Sequence, residues 1–194
     1  MDSQALDALI NRYVLFSCEG TAEGVVVQVL YDNDLMVVPR SRVVMDSVIT
    51  NRPYTRKRKA GEIANEYFSM DYETDGAQGL TVARIVDSHA AKFEFPRRQQ
   101  NGTKVLSFLT RPEIEMLLIH AESAYSDWLK ASRRNRQLKP SDFCKQQLGF
   151  ADVKKGEFLR EYWGNPGDLV DAIRAYAENC QRKPGELALA DLLR

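Results

Sequence analysis

Three runs of nearly continuous apolar residues stand out along the chain. They are Tyr13-Val14-Leu15-Phe16-Ser17-Cys18, Leu80-Thr81-Val82-Ala83-Arg84-Ile85-Val86 and Lys104-Val105-Leu106-Ser107-Phe108-Leu109. Short runs of this kind, rich in β-branched and aromatic residues, predict strands of a parallel sheet, where both faces are covered. The first two end alike, because a carboxylate follows the last apolar residue: Glu19 after Cys18, and Asp87 after Val86. In an open parallel sheet the strand ends form the rim at which ligands bind.

Between these runs the apolar spacing becomes helical. Leu6, Leu9 and Ile10 predict a short lead-in helix or pairing arm within residues 1–12, and residues 20–31 predict the crossover helix after the first strand. The run Val25-Val26-Val27 lowers helix propensity there, so burial must decide that segment. Asp32-Asn33-Asp34 is a turn cluster, and Leu35-Met36-Val37-Val38, closed by Pro39, predicts a second short strand. Ile63, Ala64, Tyr67 and Phe68 share one face of a helix over residues 60–70, and residues 70–79 and 96–103 are expected to be loops. Thr110-Arg111-Pro112-Glu113 has the pattern of a helix start, leading into a helix that runs to about residue 130. Beyond Arg133 the chain breaks into short helical stretches beginning near Pro140, Lys154 and Pro166, and residues 187–193 predict a closing helix or docked tail. The alternation of strand and helix predicts an α/β fold, a Rossmann-like parallel sheet flanked by helices over residues 1–132. An all-helical C-terminal cap over residues 133–194 is expected to pack on it.

Composition narrows the partners. The 194 residues include 27 Lys and Arg against 27 Asp and Glu, so the whole-molecule field draws in neither nucleic acid nor an acidic membrane. An anionic partner must then be held by local clusters. One such cluster, Arg52, Arg56, Lys57, Arg58 and Lys59, surrounds Tyr54, which is available to stack on a base. A solvated basic face is the alternative reading of the same run. Cys18, Cys144 and Cys180 are scattered without metal-ligand spacing, which points to reduced thiols. The start of the chain lacks a basic, then apolar leader, and no segment has the roughly 20 apolar residues that span a bilayer. A cytoplasmic protein with no membrane partner is expected.

Cys18-Glu19-Gly20-Thr21-Ala22-Glu23, followed by the later strand ending at Asp87, resembles the Toprim (topoisomerase–primase) domain. The likeness is greatest to the small Toprim-like proteins of the RloB and OLD-type nuclease groups, which serve in bacterial defence and mobile elements. That family carries an apolar strand ending in Glu-Gly and a later strand ending in Asp-x-Asp. Here Glu19-Gly20 and Glu23 match the first motif and Asp87 opens the second, but His89 stands where the second aspartate is expected. The segment from Phe108 to Leu118 is similar to the strand-to-helix step that follows, with Glu113 and Glu115 near its turn.

The resemblance implies Mg²⁺ or Mn²⁺, with Glu19 as general acid/base or metal ligand and Asp87 as a primary ligand. Glu113 or Glu115 would complete the shell, and His89 would take the place of the missing aspartate. Imidazole suits Mn²⁺ and also moves protons. Arg111, at the strand–helix junction, would hold a phosphate or neutralise the acids. The implied function is a metal-dependent nuclease, or other phosphodiester-processing protein, acting on nucleic acid. The alternative is a catalytically degenerate Toprim-like module that binds a partner protein or a second copy of itself. Glu19 has a plainer alternative of its own, an acid favoured by a helix dipole. Glu23, one turn further on, reads first as a capping or solvated acid. His120 reads as a core histidine, and Lys154 as an exposed helix-start lysine. No Gly-x-Ser-x-Gly, phosphate-loop or dinucleotide fingerprint is present.

Overall fold

The computed structural model describes residues 1–87, 93–96, 100 and 102–194. Five strands, β1 (Tyr13–Cys18), β2 (Tyr54–Thr55), β3 (Leu80–Val86), β4 (Lys104–Leu109) and β5 (Leu187–Ala188), form one sheet in the order β2-β1-β3-β4-β5. Every pairing is parallel. The three apolar runs are thus the three central strands, with the predicted bounds.

Side-chain alternation assigns each strand residue to a face. Val14, Phe16 and Cys18 of β1, Ala83 and Ile85 of β3 and Phe108 of β4 enter the larger core. Helices α2 (Thr21–Asp32), α4 (Met116–Ala121) and α8 (Pro166–Asn179) cover that face. On the other face Leu15, Leu80 and Val82 pack with Ile63, Ala64 and Tyr67 of α3 (Ala60–Tyr67) and with Phe95. α1 (Ser3–Ile10) adds Ala5 and Leu9 to the larger core. Helix α2 carries Val25, Val26, Val27 and Leu30 inward, so tertiary burial does override the weak propensity of its valine run.

Several expectations need correction. Residues 35–38 do not form a strand; Met36 makes one isolated bridge to Leu193, and the segment is anchored by burial of Met36 and Val38. The edge strand lies instead at Tyr54–Thr55, inside the basic tract, and pairs with Phe16 and Ser17. Thr110 does not cap a helix. Its N–H and hydroxyl both donate to the Val86 carbonyl, which keeps it extended beside β3. The expected long helix is two: α4, then α5 (Tyr125–Arg134), separated by Ser123 at φ 56°. The C-terminal region is largely helical, with α6 (Pro140–Gln147), α7 (Gly156–Tyr162) and α8, but it is not all helix. Leu187 and Ala188 pair with Phe108 and Leu109 as the fifth strand before a 3-10 turn at Leu189–Leu192. No helix among the described residues is long and apolar enough to cross a membrane.

Candidate functional site

Cys18 is in register with Ile85, so Glu19 and Asp87 leave adjacent parallel strands at the same, C-terminal edge. The chain moves from β1 out to β2 and returns past β1 to β3. The two acids therefore flank the place where strand order reverses, the crevice that open α/β sheets use for ligands. There a cavity of about 310 Å³ is lined by Gly20, Glu23, Arg56, Asp87, Glu113, Glu115 and Lys154, among others.

The acids influence one another. Burial, then the charge of Asp87, raises the Glu19 carboxyl above its ordinary range, although the Asp87 backbone N–H, Arg84 and Arg58 oppose the shift. Burial likewise raises Glu23, with Glu19 and Asp87 adding to it. Burial raises Glu115, helped by Glu113 and Glu23 and opposed by Lys154. Desolvation and mutual repulsion both disfavour ionisation, and a cation among the carboxylates relieves the repulsion.

Each side chain is held by local structure. Glu23 is only 9 % exposed and reaches back to the Gly20 N–H, the acidic half of a capping interaction at the start of α2. Its capping role and its place in the cavity are thus the same conformation. Glu113 Oε2 accepts from the Ser141 N–H at 3.1 Å, while Oε1 lies 3.9 Å from Lys154 Nζ. This carboxylate ties the cavity wall to α6 and to the approach to α7. Ser17 Oγ donates to the Lys57 carbonyl at 2.8 Å, fixing the strand that carries Glu19 to the turn that carries Arg56 and Arg58.

The basic cluster divides. Arg52 pairs with Asp46 at 2.7 Å and lies over the Tyr54 ring, and Lys57 pairs with Glu66 at 2.6 Å. Both are engaged within the fold. Lys59 is exposed and 3.7 Å from Glu62. Arg56 lines the acidic cavity, and Arg58 is near enough to Glu19 to act on its charge. Tyr54 is half-buried against Gly24 rather than free to stack. Arg111 is placed elsewhere: its guanidinium pairs with Glu186, and it lines a second cavity with His120, Tyr125 and Tyr176. His89 lies outside the described residues.

Two participants were under-read or missed in the sequence. Glu23 carried a signal, since Gly20 and Glu23 have the spacing of an N-cap and an acid that reaches back to it. Arg84 carried none, because an arginine inside an apolar run does not disclose what it faces. It is 8 % exposed, stacks over Phe93 at 4.2 Å and bears on the charge of Glu19.

Among the described residues, no group of three or more His, Cys, Asp or Glu side chains is close enough to hold a metal ion. Among the described residues, the donors that line the cavity are carboxylates and the Thr21 hydroxyl, with neither sulfur nor imidazole. That set suits a hard cation such as Mg²⁺, which one or two carboxylates hold while water and substrate oxygens complete the shell. It does not suit a closed structural site. No family model, curated protein or solved structure matches the chain.

Proposed function

We propose that this chain processes phosphodiester bonds in nucleic acid with the help of Mg²⁺ or Mn²⁺, in the manner its Toprim-like motifs imply, with bacterial defence or mobile elements as the setting. One observation supports this above the others. Glu19 and Asp87 follow the ends of adjacent parallel strands at the reversal of strand order and bear on each other's charge, and Asp87 lines a cavity with Glu23, Glu113, Glu115 and two cationic side chains.

Glu19 and Asp87 would hold the ion. When bound, it neutralises charge on a phosphoryl oxygen and lowers the pKa of water. In the other role the resemblance implies, general acid/base in place of metal ligand, Glu19 has a carboxyl raised above its ordinary range by burial and by the charge of Asp87. Arg56 and Lys154 border the same cavity and would bind the flanking phosphate oxygens. Glu113, held by Ser141, keeps Lys154 at the border.

The test is cleavage of plasmid and oligonucleotide substrates with Mg²⁺ or Mn²⁺. Cleavage is expected from the unaltered protein and lost in Glu19→Gln and Asp87→Asn. Full activity in both variants overturns the proposal.

A second reading has its own support: no three-ligand cluster exists among the described residues, and the second motif has His89 in place of aspartate. Under it the domain is a catalytically degenerate binding module for a partner protein or another copy of the chain. It predicts stable association in sedimentation measurements with no response to divalent cations.

A further inference from the structure

A second cavity, of about 320 Å³, shares no lining residue with the acidic one. Three helices build it, each with two residues one turn apart: Met116 and His120 from α4, Tyr125 and Trp128 from α5, and Tyr176 and Asn179 from α8. Met116, Trp128 and Tyr176 are buried, while His120 and Tyr125 are half-buried. The segment 111–116 divides the two cavities. Arg111, Pro112 and Met116 line this one, and Glu113, Ile114 and Glu115 line the other.

Most of the polar groups in this lining are engaged within the fold. Tyr176 donates its hydroxyl to the Arg111 carbonyl at 2.7 Å and accepts from the Cys180 thiol at 3.4 Å. The Asn179 amide donates to the Ala175 carbonyl at 2.8 Å. Arg111, the one charged side chain among the described lining residues, pairs with Glu186. His120 is the exception. Its Nε2 is buried without a hydrogen-bond partner, the one such atom among the described lining residues. Buried polar atoms left in this way are uncommon and call for a water or a ligand. Burial also lowers the His120 imidazole below its ordinary range, so at neutral pH the ring is uncharged, with one nitrogen that donates and one that accepts.

The lining selects by shape and by charge. The His120 and Tyr125 rings stack with centroids 4.6 Å apart and 22° between their planes, and Tyr176 meets His120 edge-on at 6.0 Å. With Trp128 these rings offer face and edge contacts that suit a flat aromatic guest better than a saturated one. Because Arg111 is already paired and no acid lines the cavity among the described residues, a charged guest would shed water without meeting a free counter-charge. The volume is at the small end for a ligand site, enough for roughly one or two fused rings.

We propose that this cavity binds an uncharged, planar ring compound whose hydrogen-bonding group partners the His120 imidazole. Phenols, indoles and free nucleobases share that chemistry. The site stands independently of the proposed phosphodiester chemistry.

The experiment is calorimetric titration with phenol, indole and uracil, and with benzoate and benzylamine as charged counterparts. Saturable binding of an uncharged ring is expected, the tightest of the three identifying the class, and both charged compounds should bind at least about tenfold more weakly. His120→Phe keeps a ring in the lining but removes its nitrogens, and should weaken the tightest ligand at least about tenfold. Gln181→Trp, at an exposed position of the lining, obstructs the mouth without altering the buried wall and should weaken the same ligand. Circular dichroism checks that both variants are folded, and Gln181→Trp decides alone if His120→Phe is not. No saturable binding of any uncharged ring, equally tight binding of benzoate or benzylamine, or unchanged affinity in a folded variant overturns the proposal.

Discussion

The Glu23 carboxylate occupies the space that a side chain on residue 20 would need: a Cβ on Gly20 would lie 2.6 Å from Glu23 Oε2. The backbone of Gly20, at φ −135° and ψ −174°, is open to any residue, so the requirement for glycine comes from this close approach. Glu23 is the flexible member and would swing away. Gly20→Ala is therefore expected to cost little stability, under about 1 kcal/mol, while weakening divalent-cation binding. Thermal melts with and without Mn²⁺ check both halves.

Gly24 makes the opposite prediction. A Cβ there would lie 2.4 Å from the Tyr54 ring, which is half-buried and cannot step aside as a carboxylate can. Replacement by alanine in a helix ordinarily gains about 1 kcal/mol. Here overpacking of about 1–3 kcal/mol outweighs that gain. Gly24→Ala should lower the urea midpoint, and Gly24→Ala/Tyr54→Leu should recover part of the loss.

The pH dependence of stability follows from the raised acids. A carboxyl whose pKa is higher in the folded chain binds extra protons there between its unfolded and folded values. Stability then falls as pH rises through that interval and stays low above it. Glu19, Glu23 and Glu115 all behave this way, burial being the leading cause in each. Asp46 has the opposite sign. Burial works against its ionisation, but the Arg52 side chain and the Ile49 and Val48 N–H groups outweigh that, so its contribution is lost only as pH falls below the usual carboxylate range. His120, whose imidazole burial lowers, works in the opposite direction as pH rises towards its ordinary value, so the acids' share is read as the decline in urea-denaturation stability with rising pH relative to a chain lacking them, at about equal ionic strength. Glu23→Gln/Glu115→Gln should flatten the decline.

At the opposite end of the sheet, Arg12 is a structural arginine. It is 6 % exposed and donates to the carbonyls of Gln78, Leu80 and Gly102, joining the start of β1 to the start of β3 and the approach to β4. Arg12→Met leaves these carbonyls without their donor. A loss of about 2–4 kcal/mol is expected from denaturant titration, with cation binding at the distant rim unchanged.

How much of this was legible in the sequence depended on how far each segment decides its own fate. β1 and β3 are buried along almost their whole length, and β4, exposed at Lys104 and Val105, is buried at Phe108 and Leu109, so these three apolar runs carried their bounds. β2 and β5 each pair through two residues only, and the contacts that make them strands come from Phe16, Ser17, Phe108 and Leu109 elsewhere in the chain. Leu35 to Val38 misled in the other direction, because burial of Met36 and Val38 produces an apolar run without a ladder. At the site, the positions of Glu19 and Asp87 followed from the strands that end at them. The pairing of Arg52, Lys57 and Arg111 with Asp46, Glu66 and Glu186 did not, since each partner is set by tertiary approach. A run of basic residues shows charge, and only the fold shows which charges are already answered.

The central claim is that Glu19 and Asp87 together hold a divalent cation, and calorimetric titration of Mn²⁺ into the protein tests it most directly. One saturable site is predicted in the unaltered chain, weakened at least about tenfold in both Glu19→Gln and Asp87→Asn while their circular dichroism is unchanged. No saturable heat in the unaltered chain, or the same affinity in both variants, would contradict it.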